Sequence, residues 1–258
     1  MRKAFVSLVC CLSFFALTFT TSCNKKVKHK NIICFIDFSE NPSWDKRVNY
    51  YSDVVKTSII KNLSYSDRIV VLPIDKGTTT NSKEILLESL KKEFSYIPDG
   101  TSPMQEDEIA KTNLNKDLER ITKVFDLNFA TAKVDRSNLQ QGTDILGALG
   151  YSGKYYEDDQ ENIIIFLSDM MNWSGNLKME EGHFDGSMVD KKLNETPNVE
   201  GKSAKVIVIT GDITNISSKH FEVVSDFWNK YFKKNNFILV DYTSAGKAKL
   251  EELMLTRE

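Results

Sequence analysis

Five runs of apolar, largely β-branched residues punctuate the chain: Ile32 to Phe38, Arg68 to Ile74, Asn162 to Leu167, Lys205 to Thr210 and Phe237 to Tyr242. Each is nearly continuous in its hydrophobicity, the pattern of strands covered on both faces. Between them the spacing turns helical. Arg47 to Leu63 places Val48, Tyr51, Val54, Val55, Ile59 and Leu63 along one stripe. Ile85 to Phe94 reads as a shorter helix, Asp107 to Val134 as a long one and His220 to Lys234 as a third. Strands alternating with helices predict an α/β fold: a doubly wound, mostly parallel sheet with helices on both faces. Residues 96–106 and 174–203 carry no clear period, and the second stretch is expected to be a long surface loop. Residues 31–258 read as one domain.

The N-terminal segment stands apart from this pattern. Arg2 and Lys3 precede an apolar run from Ala4 to Phe19, and the small residues Thr20, Thr21 and Ser22 lead to Cys23. That is the layout of a secretory signal, and the run is short for a membrane span. The ending resembles a bacterial lipoprotein signal. The resemblance implies a signal peptide over residues 1–22, lipid on Cys23, and attachment to a membrane of the cell envelope, with the side of that membrane left open. Residues 23–30, which include Lys25, Lys26, Lys28 and Lys30, would then form a basic tether.

Composition narrows the function further. With 41% hydrophobic and 27% charged residues the chain has the makings of a folded core. Its 34 basic residues are balanced by 36 acidic ones; losing Arg2 and Lys3 leaves 32 against 36, a formal charge of −4. Such a balance gives no general electrostatic footprint for nucleic acid. With Cys23 lipidated, Cys34 has no partner, and its apolar surroundings suit a buried, inert thiol. His183 falls in an irregular acidic stretch, and His220 reads as a polar residue at the end of a helix.

An open parallel sheet places ligands outside the carboxyl ends of its strands, so the residues that follow each run matter most. The first run ends IDFSEN, giving Asp37, Ser39 and Asn41 at alternating positions. QQGTDILGAL sets Gly142, Thr143 and Asp144 before an apolar helix start, and FLSDMMNWSG sets Ser168 and Asp169 after the central run. Singly, Asp37 and Asp169 also suit capping of strand-end amides, and Thr143 suits an N-cap. Together, two carboxylates with hydroxyl oxygens suit a hard cation such as Mg²⁺, and the lack of nearby His or Cys argues against zinc or copper.

These segments resemble the von Willebrand factor A domain family, whose metal-ion-dependent adhesion site reads D-x-S-x-S, then a separate Thr, then a separate Asp. Asp37 and Ser39 match the first two positions, Thr143 the next segment and Asp169 the last; Asn41 stands in the place of the second motif serine. The resemblance covers roughly residues 31–243. It implies Ser39 and Thr143 on the metal, Asp37 and Asp169 on it directly or through water, and Asn41 as a substitute oxygen donor. The ion would be Mg²⁺, Mn²⁺ or Ca²⁺.

The function expected from this pattern is a lipid-anchored protein-binding module, with no catalytic residue, whose metal takes an acidic side chain from a partner protein. Two alternatives remain: a degenerate, metal-free scaffold, favoured by Asn41, and a metal-dependent phosphohydrolase using Asp37 as nucleophile. The sequence holds no G-x-S-x-G elbow and no G-x-x-x-x-G-K-[ST] phosphate loop.

Overall fold

Successive residues of the first strand point to opposite sides of the sheet, and both sides are covered. Ile32, Cys34 and Ile36 join one apolar cluster, while Ile33 and Phe35 join the other; all five are fully buried. This is why the strand reads as an unbroken apolar run. The computed structural model describes residues 28–39, 44–76, 83–91, 100–136, 142–211 and 216–257. The signal segment, Cys23 and Asn41 lie outside them.

The main sheet contains β1 (Lys30–Asp37), β2 (Arg68–Ile74), β3 (Leu86–Ser89), β4 (Glu161–Leu167), β7 (Lys205–Ile209) and β8 (Ile238–Thr243). Their order is β3-β2-β1-β4-β7-β8. All neighbours run parallel except β2 and β3. The expected doubly wound, mostly parallel α/β architecture is therefore what the chain forms. From β1 the chain winds outward to β2 in one direction and later to β4 in the other, so the switch point lies between β1 and β4. There Ile36 pairs with Leu167, and the next residues of the two strands, Asp37 and Ser168, emerge at the same rim.

Helices α1 (Trp44–Val54), α2 (Pro103–Arg136) and α6 (Lys247–Leu255) cover one face through Val48, Tyr51, Ile121, Phe125, Leu250 and Met254. Helices α3 (Ile145–Ser152), α4 (Val189–Glu195) and α5 (Ser218–Lys234) cover the other through Leu149, Val189, Phe227 and Trp228. The helix expected from Arg47 is α1, extended by a π turn (Val55–Ile59) and a 3-10 turn (Ile60–Asn62).

Two expectations need correction. Ile85 to Phe94 was read as helical, yet Leu86–Ser89 form an antiparallel edge strand, with Val70 opposite Leu87 and Arg68 opposite Ser89. In so short a segment the pairing offered by β2 outweighs local spacing. The 174–203 stretch is not one long loop: Trp173–Ser174 (β5) and Leu177–Lys178 (β6) make a small hairpin, and α4 follows. His220 falls at the end of a helix, as expected. It is buried in the first turn of α5, with Nε2 2.9 Å from the Met179 carbonyl.

Candidate functional site at the sheet rim

Asp37 ends β1 fully buried, and both its carboxylate oxygens are engaged. The Ser39 N–H donates to Oδ1 at 2.8 Å, and the Ser168 hydroxyl, from the end of β4, donates to Oδ2 at 2.7 Å. Ser168 Oγ in turn accepts the Met170 N–H at 2.9 Å. Met170 has a φ of 63°, a left-handed conformation uncommon for a side chain of its size. Its carbonyl accepts from Trp228 Nε1 at 2.9 Å, which pins the turn to the core of α5.

Asp169 follows, 9% exposed. Its Oδ1 accepts the Met171 N–H at 3.0 Å, and its Oδ2 accepts from Arg47 Nη1 at 2.6 Å. The arginine side chain is completely buried. Its Nη2 donates to the Ser39 carbonyl at 2.8 Å and lies 3.4 Å from Ser39 Oγ. One guanidinium thus ties the loop after β1 to the loop after β4. Arg47 reaches this position from α1, on the stripe that also carries Tyr51 four residues on, whose hydroxyl donates to the Thr210 carbonyl at 2.8 Å.

The electrostatics follow from these contacts. Burial works against the Arg47 cation, but Asp37 and Asp169 outweigh it and hold the guanidinium above its ordinary range. Burial raises the Asp169 carboxyl above the usual carboxylate range; Arg47 pulls it back down and Asp37 pushes it up. Tyr242, at the end of β8, has its phenol pushed well up by burial and by the charge of Asp169.

Thr143 is buried on the next loop, and its carbonyl accepts the Trp173 N–H at 2.8 Å. It is not the N-cap of α3. Asp144 is, accepting from Gly147 N–H at 3.0 Å and from Ser174 Oγ at 2.6 Å. Gly142 has a φ of +136°, and a Cβ there would meet Trp173 Cε3 at 3.2 Å, so this close approach requires glycine. Asn172 stitches the segments together. Its Oδ1 accepts the Ile145 and Leu146 N–H groups at 2.9 and 3.2 Å, while Nδ2 donates to the Leu177 carbonyl at 2.7 Å.

Sequence reasoning therefore placed Asp37, Ser39 and Asp169 on one rim, where hydrogen bonds through Ser168 and Arg47 join them. Thr143 sits on the loop that Asn172 and Trp173 bind to the segment after Asp169. Arg47 and Asn172 were missed. A charged residue inside the apolar stripe Arg47, Tyr51, Val54, Val55 was the legible sign of the first.

A divalent ion does not fit this donor set as arranged. Asp169 Oδ2, the Ser39 carbonyl and Ser39 Oγ all face the guanidinium, and both oxygens of Asp37 are already held by the chain's own donors. An ion bound there would displace the arginine or lie against its charge. Among the described residues there is no group of three or more His, Cys, Asp or Glu side chains able to hold a metal. Asp37, fully buried and doubly engaged, also lacks the exposure a nucleophile needs.

No protein-family model and no curated protein matches the chain. Among solved structures it is similar to proximal thread matrix protein 1 from the mussel byssus. One crystal form matches at 14% identity and a TM-score of 0.41, covering 89% of this chain and 48% of that one. Another structure of the mussel protein matches at 16% and 0.37, over 89% and 46%. The manganese-loaded TRAP protein of Plasmodium vivax matches at 12% and 0.44, over 90% and 75%. The chain spans about half the length of the mussel protein chains it matches.

A cavity of about 220 Å³ adjoins the rim, lined by Met171, Trp173, Met179, Glu181, Ile216 and His220. A larger one of about 580 Å³, lined by Lys28, Gln160, Lys202 and Lys205 among others, lies at the opposite end of the strands.

Proposed function

We propose that the chain is a protein-binding module of the von Willebrand factor A type, tethered to a membrane of the cell envelope through lipid on Cys23, whose partner docks on the rim at the carboxyl ends of the strands. One observation carries this reading. Among the described residues, five buried side-chain polar atoms lack a hydrogen-bond partner, and four of them belong to this rim: Arg47 Nε, Trp173 Nε1, Thr210 Oγ1 and Tyr242 OH. Buried polar groups are nearly always satisfied in native proteins, so each exception calls for an explanation such as a functional role or a bound water, and here they gather at one end of the sheet. The sequence order of Asp37, Ser39, Thr143 and Asp169 supports the family reading. Of the two forms that reading allows, metal-bound and metal-free, the Arg47 contacts favour the metal-free one.

Photocross-linking in the native membrane tests the docking surface. A cross-linker at Lys76 or Ser174, beside the rim, is expected to capture a discrete protein, whereas one at Lys202, at the opposite end, is not. Equal capture at both ends, or none at the rim, contradicts the proposal. The tether has its own test: Cys23→Ser should move the protein from the membrane fraction to the soluble one.

A further inference from the structure

In the adhesion-site resemblance a divalent ion draws together the loops after the first and fourth strands of the sheet. Here a side chain performs that task. We propose that Arg47 is the resident cation of the rim crevice, its guanidinium joining Asp169 to the Ser39 loop in the place of Mg²⁺, so that the rim works without metal.

Three observations converge on this assignment. The guanidinium meets two of the residues that the resemblance gives to the ion: Asp169 through Nη1, and Ser39, whose carbonyl accepts from Nη2 and whose Oγ lies 3.4 Å from it. Its charge is permanent, unlike that of a lysine or histidine, and its planar fork spans two acceptors from different loops. The side chain is also fixed from behind. It is completely buried, and it leaves α1 on the same stripe as Tyr51, which is itself anchored to Thr210. The Nε–H is buried without a partner, so the fold carries an unsatisfied donor to keep the forked end on Asp169 and Ser39.

Charge decides the competition with a metal. Asp37 and Asp169 carry two negative charges, and Arg47 leaves the trio at −1. Mg²⁺ added beside the arginine would bring two positive charges against a cation already in contact with its ligands. With the arginine removed, the same oxygens face an uncompensated charge of −2, the condition in which one or two carboxylates with hydroxyl oxygens take up a hard cation. The chain is thus one substitution from a metal site. This inference deepens the metal-free binding reading given above, but its test needs no partner.

The experiment uses the full chain as wild type, D169N, R47Q, R47A and R47Q/D169N, with Mn²⁺ as the probe. Mn²⁺ binding is followed by the loss of the free-ion signal in electron paramagnetic resonance, and stability by Tm with and without the ion. Wild type is expected to leave the signal and its Tm unchanged. R47Q should melt lower than wild type, recover several degrees with Mn²⁺, and bind it about tenfold or more tightly than wild type does. R47Q/D169N should do neither. Should R47Q and R47A fail to fold in buffer alone, they are refolded from denaturant with and without Mn²⁺, and recovery only with the ion supports the proposal. Binding of Mn²⁺ by wild type that D169N abolishes overturns it. So does a folded R47Q that ignores Mn²⁺, or failure to refold under either condition. A failed cross-linking result with these outcomes intact would remove the docking surface and leave the role of Arg47 standing.

Discussion

Arg47 holds more of the fold together than its three contacts suggest, because among the described residues it is the cation paired with the buried Asp169. Arg47→Ala is expected to lower the free energy of unfolding by about 3–5 kcal/mol, the usual effect of removing one partner from a buried pair. Arg47→Lys should recover only part of the loss, since an ammonium keeps the charge without the fork. Urea denaturation of the three proteins measures both differences, and equal stability of Arg47→Ala and wild type would contradict the geometry. Ser168→Ala removes one donor from a fully buried carboxylate and should be destabilising by about 1–3 kcal/mol in the same assay. Asp37, Ser39 and Asp169 were readable because each follows an apolar run, and a parallel sheet brings such positions to one rim. Arg47 left only that one sign, a charge on an apolar stripe, because an arginine at the start of a helix looks like a solvated residue until its neighbours along the stripe prove buried. Asn172 left no sign at all; its role depends on a hairpin of two short strands that has no period to detect.

The four central strands, β1, β2, β4 and β7, were legible at the level of elements because burial on both faces makes their sequences continuously apolar, and β8 kept an apolar sequence at the half-buried edge. Edge strand β3 was not legible, since its four residues gain their conformation from pairing with β2 and not from their own spacing. Lys30 shows what such joins between elements involve. It lies buried at the start of β1, its Nζ donating to the carbonyls of Leu253 and Met254 at the end of α6, the latter at 3.1 Å. Burial, followed by the charge of Arg257, pushes its amine down to about 8. In the unfolded chain it stays near 10.5, so between those values the unfolded state binds more protons than the folded one. Lys30 therefore makes stability rise with pH across that window, and Lys30→Met should flatten the slope. A pH series of urea midpoints checks it, and an unchanged slope counts against the burial of the charged form. At the turn between α4 and β7, a Cβ on Gly201 would lie 2.5 Å from Phe237 Cγ. Gly201→Ala is expected to be destabilising by about 1–3 kcal/mol through overpacking.

Across the whole molecule, two apolar clusters separated by one sheet make a scaffold rigid enough to hold buried charges at its rim. Among the described residues no helix is long and apolar enough to cross a membrane. The rim gathers the switch point of the sheet, the buried pair of Arg47 and Asp169, and four buried side-chain polar atoms without partners, while at the opposite end Gln160 Oε1 is the one such buried atom among the described residues. The most direct measurement of the central claim is anomalous diffraction from crystals of the wild-type protein grown with Mn²⁺. The account predicts no anomalous peak between Asp37 and Asp169, with the guanidinium of Arg47 in contact with Asp169 and Ser39. A peak at coordination distance from Asp169, with Arg47 turned aside, would contradict it.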